Sequence, residues 1–167
     1  MKKALVTGAV CALVLSFNAF GKTAGTAMKM PATPKAITLN ASELKWGAAP
    51  PAFPKGANLA VLYGDPFKKG TYTVRLKMPN GYRIAPHWHT LDEQLTVLNG
   101  TLVLHMGDKM DSPAEDLEPG AYHFLPGKMH HAAEAKGEVV VQVSGPGPFD
   151  IHYLNPADDP ARAHASR

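Results

Sequence analysis

Cysteine is almost missing from this chain: of 167 residues only Cys11 carries a thiol, and it lies in an N-terminal apolar run. No group of small residues precedes it at the end of that run, as lipidation would require. The run itself, Ala4 to Phe17, is shorter than the roughly 20 residues a membrane helix needs, so no stable membrane insertion is expected. Lys2 and Lys3 precede it and small residues follow, which is the order of a secretory signal. Ala19-Phe20-Gly21 and Gly25-Thr26-Ala27 both present small residues where a signal peptidase reads them, so cleavage after residue 21 or 27 is expected. The alternative, a retained anchor helix, is disfavoured because Ser16 and Asn18 interrupt the run. Residues 1–27 are therefore expected to be a signal peptide, and the mature chain to be periplasmic or secreted.

Without that segment the chain has no cysteine. This excludes disulfides, thiolate metal ligands and a cysteine nucleophile, and leaves metal binding to nitrogen and oxygen donors. Charge of one sign is lacking too: Lys2, Lys3 and Lys22 leave with the segment and no acid does, so fourteen basic residues face fourteen acidic ones. No Lys/Arg stripe with interleaved aromatics remains, so no nucleic-acid partner is expected. Internal repeats, low-complexity tracts and long helical periodicities are also absent. One domain of ordinary globular composition fits the length.

Turn residues are abundant, with 15 glycines and 15 prolines, which suits many short strands better than long helices. Residues 28–57, rich in Pro, Ala, Gly and Lys, read as an N-terminal arm with short extended pieces at Ala36 to Asn40 and Glu43 to Trp46. From Asn58 onward strand-length apolar runs alternate with turns: Ala60 to Tyr63, Tyr72 to Met78, Gln94 to Leu98, Leu102 to Met106, Tyr122 to Leu125, Val139 to Val143 and Phe149 to Tyr153. Tyr72 to Met78 alternates apolar with polar, as a half-buried strand does. Asn99-Gly100 reads as a two-residue hairpin turn, because Asn and Gly tolerate positive φ. Gly145-Pro146-Gly147-Pro148 reads as another turn. A short helical turn is expected within Lys109 to Leu117, and a loosely ordered tail over 156–167. The class is all-β, a sandwich or barrel over residues 58–155.

Chemistry concentrates in Gly81-Tyr-Arg-Ile-Ala-Pro-His87-Trp-His89-Thr-Leu-Asp-Glu93. Two residues apart, His87 and His89 share one face of a strand and can grip one ion. Glu93 follows a short turn that holds Asp92, and its carboxylate can return to the same space. Imidazole and carboxylate donors suit Zn, Mn, Fe, Ni or Cu and leave room for a fourth ligand or water. Trp88 points away by alternation and is a packing residue. Arg75 and Gln142 read as solvent-facing, and His105 and His123 as either pocket-lining or surface.

This segment resembles the first cupin motif: Gly81, five residues, His87, one, His89, three, Glu93, six, Gly100. Gly120, five residues, Pro126, and His131 five positions beyond it resemble the second motif. There Lys128 replaces the usual Gly, and Ala135 stands where an Asn often closes the motif. The resemblance implies a cupin jelly-roll barrel holding one divalent metal ion through His87, His89, Glu93 and His131. Zinc is the first choice, with iron, manganese, nickel or copper compatible. His130 adjoins His131, and a one-residue shift of register would exchange them. Asn58 to Pro66, His87-Trp88-His89 and Asn155-Pro-Ala-Asp-Asp-Pro-Ala further resemble small bacterial single-domain cupins related to the zinc-binding cupin domains of some anti-sigma factors. Cupin precedents imply a small-molecule ligand in the barrel, and a homodimer formed through an edge strand or the arm at residues 28–57 is expected because barrel edges seek cover. These precedents are compatible with a metal-dependent enzyme, of oxygenase or hydrolytic type, or a sensor, and equally with a non-catalytic periplasmic metal-binding or stress-related protein.

Overall fold

The computed structural model describes residues 35–165; the signal segment and both cleavage sites expected within residues 1–27 lie outside them. Nine strands follow in chain order among the described residues: β1 (Gly47–Ala48), β2 (Asn58–Tyr63), β3 (Gly70–Met78), β4 (Arg83–Trp88), β5 (Glu93–Met106), β6 (Ala114–Leu117), β7 (Tyr122–Leu125), β8 (His131–Gly147) and β9 (His152–Tyr153). All pair antiparallel in one curled sheet. Its main path runs β1-β2-β3-β8-β4-β9, and β5 joins β6, β7 and β8.

Sequence alternation sets which face closes on itself. Tyr72, Val74, Leu76 and Met78 of β3 are buried, while Thr73, Arg75 and Lys77 between them are half-buried on the other face. Opposite them on β8, Val139, Val141 and Val143 supply β-branched side chains that pack well on a pleated surface. Leu95, Val97, Leu102 and Leu104 of β5 complete the same core.

Two strands change which parity of residue faces inward. In β5 the positions that face the core are Glu93, Leu95 and Val97, then Leu102 and Leu104, while Val103 is buried outside the core cluster. The switch from odd to even occurs at Asn99 and Gly100, where the register with β8 shifts. The Asn99-Gly100 pair is thus a β-bulge inside one 14-residue strand, not the hairpin turn its residue types suggest. Both halves of β5 find a partner in the 17-residue β8, so the chain has no reason to reverse. Gly100 takes φ 71°, and the Asn99 Nδ2 donates to Glu138 O at 2.6 Å, which fixes the bulge against β8. In β4 the register with β8 shifts between Ile84 and His87, so that Ile84 and then His87 both point inward.

Other expectations change locally. Within Lys109 to Leu117 there is a tight turn, with Ser112 N bonded to Lys109 O, followed by β6, which pairs with Leu102 to His105 of β5; no helix forms there. Gly145, Pro146 and Gly147 lie in β8, paired with β3, instead of forming a turn. Of Phe149 to Tyr153 only His152 and Tyr153 are strand. A 3-10 turn at Ala41–Glu43 occupies part of the extended pieces expected near there. The expected loose tail holds a 3-10 turn at Pro156–Asp158 and a helix at Pro160–Ala165.

The segment before β2 reaches the barrel. β1 lies along β2, Phe53 is buried and stacks on Phe149 at 5.8 Å, and the Tyr153 hydroxyl donates to Ala52 O at 2.7 Å.

Candidate metal centre

Four buried polar side chains meet at one end of the barrel: His87, His89, Glu93 and His131. β4 delivers His87, and His89 follows just past its end. β5 begins at Glu93 and β8 at His131, with His87 and His131 directly paired across β4 and β8. The loop before β8 is tied to this end by two bonds: Lys128 N donates to His89 O at 2.7 Å, and Gly127 N donates to the Asp92 carboxylate at 2.8 Å. Lys128 adopts φ 68°, so the family turn survives without its usual glycine, at a cost of about 1–2 kcal/mol for a side chain in the left-handed region.

One ring nitrogen from each of His87, His89 and His131 lies within 4.8 Å of those of the other two, so the three can hold one metal ion. Each Nδ1 faces a backbone carbonyl: Ala85 O at 2.8 Å for His87, Asp150 O at 2.5 Å for His89 and Met129 O at 3.1 Å for His131. A carbonyl only accepts, so each Nδ1 carries the hydrogen and each Nε2 is left with its lone pair. Metal-ligating histidines are oriented in this way by their other nitrogen. The same bond on His89 leaves its Nε2 lone pair facing Glu93 Oε2 at 3.1 Å, an arrangement favourable only when a cation or a proton lies between them. The donor set therefore fits a divalent cation.

Electrostatics agree. Burial pushes all three imidazoles below their ordinary value; for His87 the neighbouring His131 and His89 add to the effect. The shift favours the neutral imidazole, the form that ligates. Burial raises the Glu93 carboxyl, and His131 and His123 oppose the rise. This is the behaviour of a desolvated anion lacking a full counter-charge, which a bound cation would supply.

Of the residues expected as ligands, His87, His89 and His131 form the metal-capable group, and Glu93 lies beside it with Oε2 3.1 Å from His89 Nε2. His130, by contrast, is half-exposed and bonded through Nδ1 to Asp108 Oδ1 at 2.7 Å. Trp88 turns outward and stacks on His152 at 4.0 Å, and Arg75 donates to Gln142 Oε1 at 3.3 Å. His105 is held by Ser112 O; the Nε2 atoms of His105 and His123 are buried without a partner among the described residues. Two participants escaped the sequence. Asp150 offers a backbone carbonyl, which no side-chain pattern reveals, and its carboxylate accepts from Thr90 N at 2.8 Å and lies 3.0 Å from His152. Although partial burial raises the Asp150 carboxyl, these bonds hold it below its usual value. Tyr72 faces the cavity, and the alternation of β3 was a sufficient signal for it.

The cluster opens into a cavity of about 60 Å³, enough for about four waters where one needs 10–15 Å³. Its remaining wall is aliphatic and aromatic apart from the Tyr72 phenol. Phe67 lines it and is 58% exposed, which marks the mouth.

A family model described as "Domain of unknown function (DUF4437)" matches residues 26–152. The chain belongs to this family. Its all-β barrel has the cupin fold, shared with solved structures that include an RmlC-like cupin from Shewanella frigidimarina (TM-score 0.53 at 14% identity, over 68% of this chain and 93% of that one). The polyketide cyclase RemF from Streptomyces resistomycificus superposes with a TM-score of 0.64 at 17% identity, over 78% of this chain and 94% of that one. An acetylacetone dioxygenase from Acinetobacter johnsonii gives 0.60 at 14% identity, over 78% and 85%. KdgF from Halomonas sp. gives 0.52 at 19%, over 69% and 96%. At these identities the likeness is one of fold. No curated protein matches the chain, and none of these relatives bears on the anti-sigma resemblance. Among the described residues no helix is long and apolar enough to cross a membrane.

Proposed function

We propose that this cupin is an exported, metal-dependent enzyme acting on a small molecule, with one divalent ion held by His87, His89, His131 and Glu93. The observation that carries the reading is the set of three buried imidazoles, each tied through Nδ1 to a backbone carbonyl so that three Nε2 lone pairs are free to converge. An open cavity beside the cluster favours an enzyme over a purely structural site, which would be closed off by side chains. Two of the solved structures sharing the fold, a polyketide cyclase and an acetylacetone dioxygenase, are enzymes by name.

When bound, the ion supplies Lewis acidity and a site for substrate oxygen or water. The chain's own residues do the rest. Backbone carbonyls of Ala85, Asp150 and Met129 fix the imidazole tautomers. Glu93, kept from solvent, balances charge. The apolar wall excludes bulk water, and the Tyr72 hydroxyl can donate to a bound oxygen. Export follows from the N-terminal segment, and dimerisation through the arm or an edge strand accompanies this reading.

Chelation, dialysis and reconstitution test it. About one ion per chain should rebind, and a screen of dioxygen uptake and ester hydrolysis should show activity with the loaded protein only. Failure to retain zinc, iron, manganese, nickel or copper after reconstitution contradicts the reading.

A further inference from the structure

Apart from the four residues at the cluster, the cavity wall carries a single polar group, the Tyr72 hydroxyl, and no lysine, arginine, serine, threonine, asparagine or glutamine lines it. Arg75, between the lining residues Val74 and Leu76, lies on the other face of β3 and is bonded to Gln142. A ligand carrying a carboxylate or phosphate on its body would lose its hydration there with nothing to replace it. Leu59, Leu76, Leu102, Val141 and Phe149 would instead meet carbon. Tyr72 is 2% exposed and makes no hydrogen bond among the described residues through its hydroxyl. It lines both the main cavity and the small cleft shared by Glu93 and Asp150, and its hydroxyl lies near Gly145 and the Asp92 carbonyl, beside that cleft. Burial pushes the phenol above its ordinary value and keeps the hydrogen in place.

We propose that the ligand of this site is a small uncharged molecule with an apolar body and one oxygen-bearing head, the head lying between the histidine cluster and the Tyr72 hydroxyl. The position of the head rests on the metal reading above; the uncharged body rests on the wall alone.

Two probe pairs separate these parts. Calorimetry on zinc-reconstituted protein compares butanohydroxamic acid with succinic acid monohydroxamate, which share a metal-binding head and chain length and differ by a terminal carboxylate. The uncharged probe should bind at least about tenfold more tightly, because only the other buries an unpaired charge; equal or reversed affinities overturn the proposal. Ligand-observed NMR on metal-free protein compares pentan-2-one with levulinate, and saturation transfer to pentan-2-one only is expected. That result stands even where zinc fails to bind, which would refute the metal reading separately, whereas transfer to levulinate as strong as to pentan-2-one overturns the uncharged-body inference. Tyr72→Phe should retain zinc and weaken butanohydroxamic acid by about fivefold, the loss of one hydrogen bond; unchanged affinity removes Tyr72 from the head site.

Discussion

Gly100→Ala tests the device that lets one strand serve both halves of the site. A Cβ at residue 100 would sit 2.4 Å from Glu138 O and 2.9 Å from Val139 Cγ2. Neither neighbour can swing away, since Glu138 O also receives the Asn99 side chain and Val139 is fully buried. The φ of 71° adds a left-handed penalty of about 1 kcal/mol. Overpacking against backbone adds about 1–3 kcal/mol, so the total loss is about 2–4 kcal/mol. Urea unfolding followed by circular dichroism measures it. If the bulge relaxes, the parity of one half of β5 turns over and Glu93 or Leu102 leaves the interior, so cavity occupancy and metal retention should fall with stability. A change below about 0.5 kcal/mol, the range of ordinary surface substitutions, would refute this account of the bulge.

Lys128→Gly should stabilise the protein by about 0.5–1 kcal/mol, because glycine takes φ 68° without the side-chain penalty; the urea midpoint reads it, and a loss of stability contradicts it. Metal-free protein should lose stability as pH falls from 7 to 5. The three imidazoles have folded values below the unfolded one of about 6.5, so the unfolded chain takes up protons first and the stability present above that pH is lost on acidification. Glu93, raised by burial, acts in the opposite sense: it favours the folded state as pH falls toward the unfolded carboxylate value of about 4.3. One carboxylate against three imidazoles leaves a net loss, and a urea midpoint that stays flat or rises between pH 7 and 5 would contradict it.

The fold was legible where periodicity is local. Tyr72 to Met78 announces its inward face by alternation alone, and the spacing of His87, His89 and Glu93 survives because each lies within a few residues of a strand end. Asn99-Gly100 misled because the same residue types serve a two-residue turn and a bulge. The choice between them is made by β8, whose length is invisible in the residues around Asn99. Lys109 to Leu117 likewise pairs with β5 through a non-local contact that overrides local preference. Lys128 shows that a motif's glycine can be replaced when the loop is held from outside, here by His89 O. Asp150 was hidden for a different reason: a main-chain carbonyl recruited from 61 residues away leaves no trace in residue type.

The central claim is that His131, and not its neighbour, completes a metal site. Metal content per chain, measured by elemental analysis on His131→Ala and His130→Ala proteins reconstituted side by side, tests it most directly. His131 is buried in the cluster, while His130 is bonded to Asp108 on the other side of the strand start. His131→Ala should lose most of its bound ion, and His130→Ala should keep about one per chain, as a site with its ligands intact does. Full occupancy in His131→Ala together with loss in His130→Ala would contradict the account.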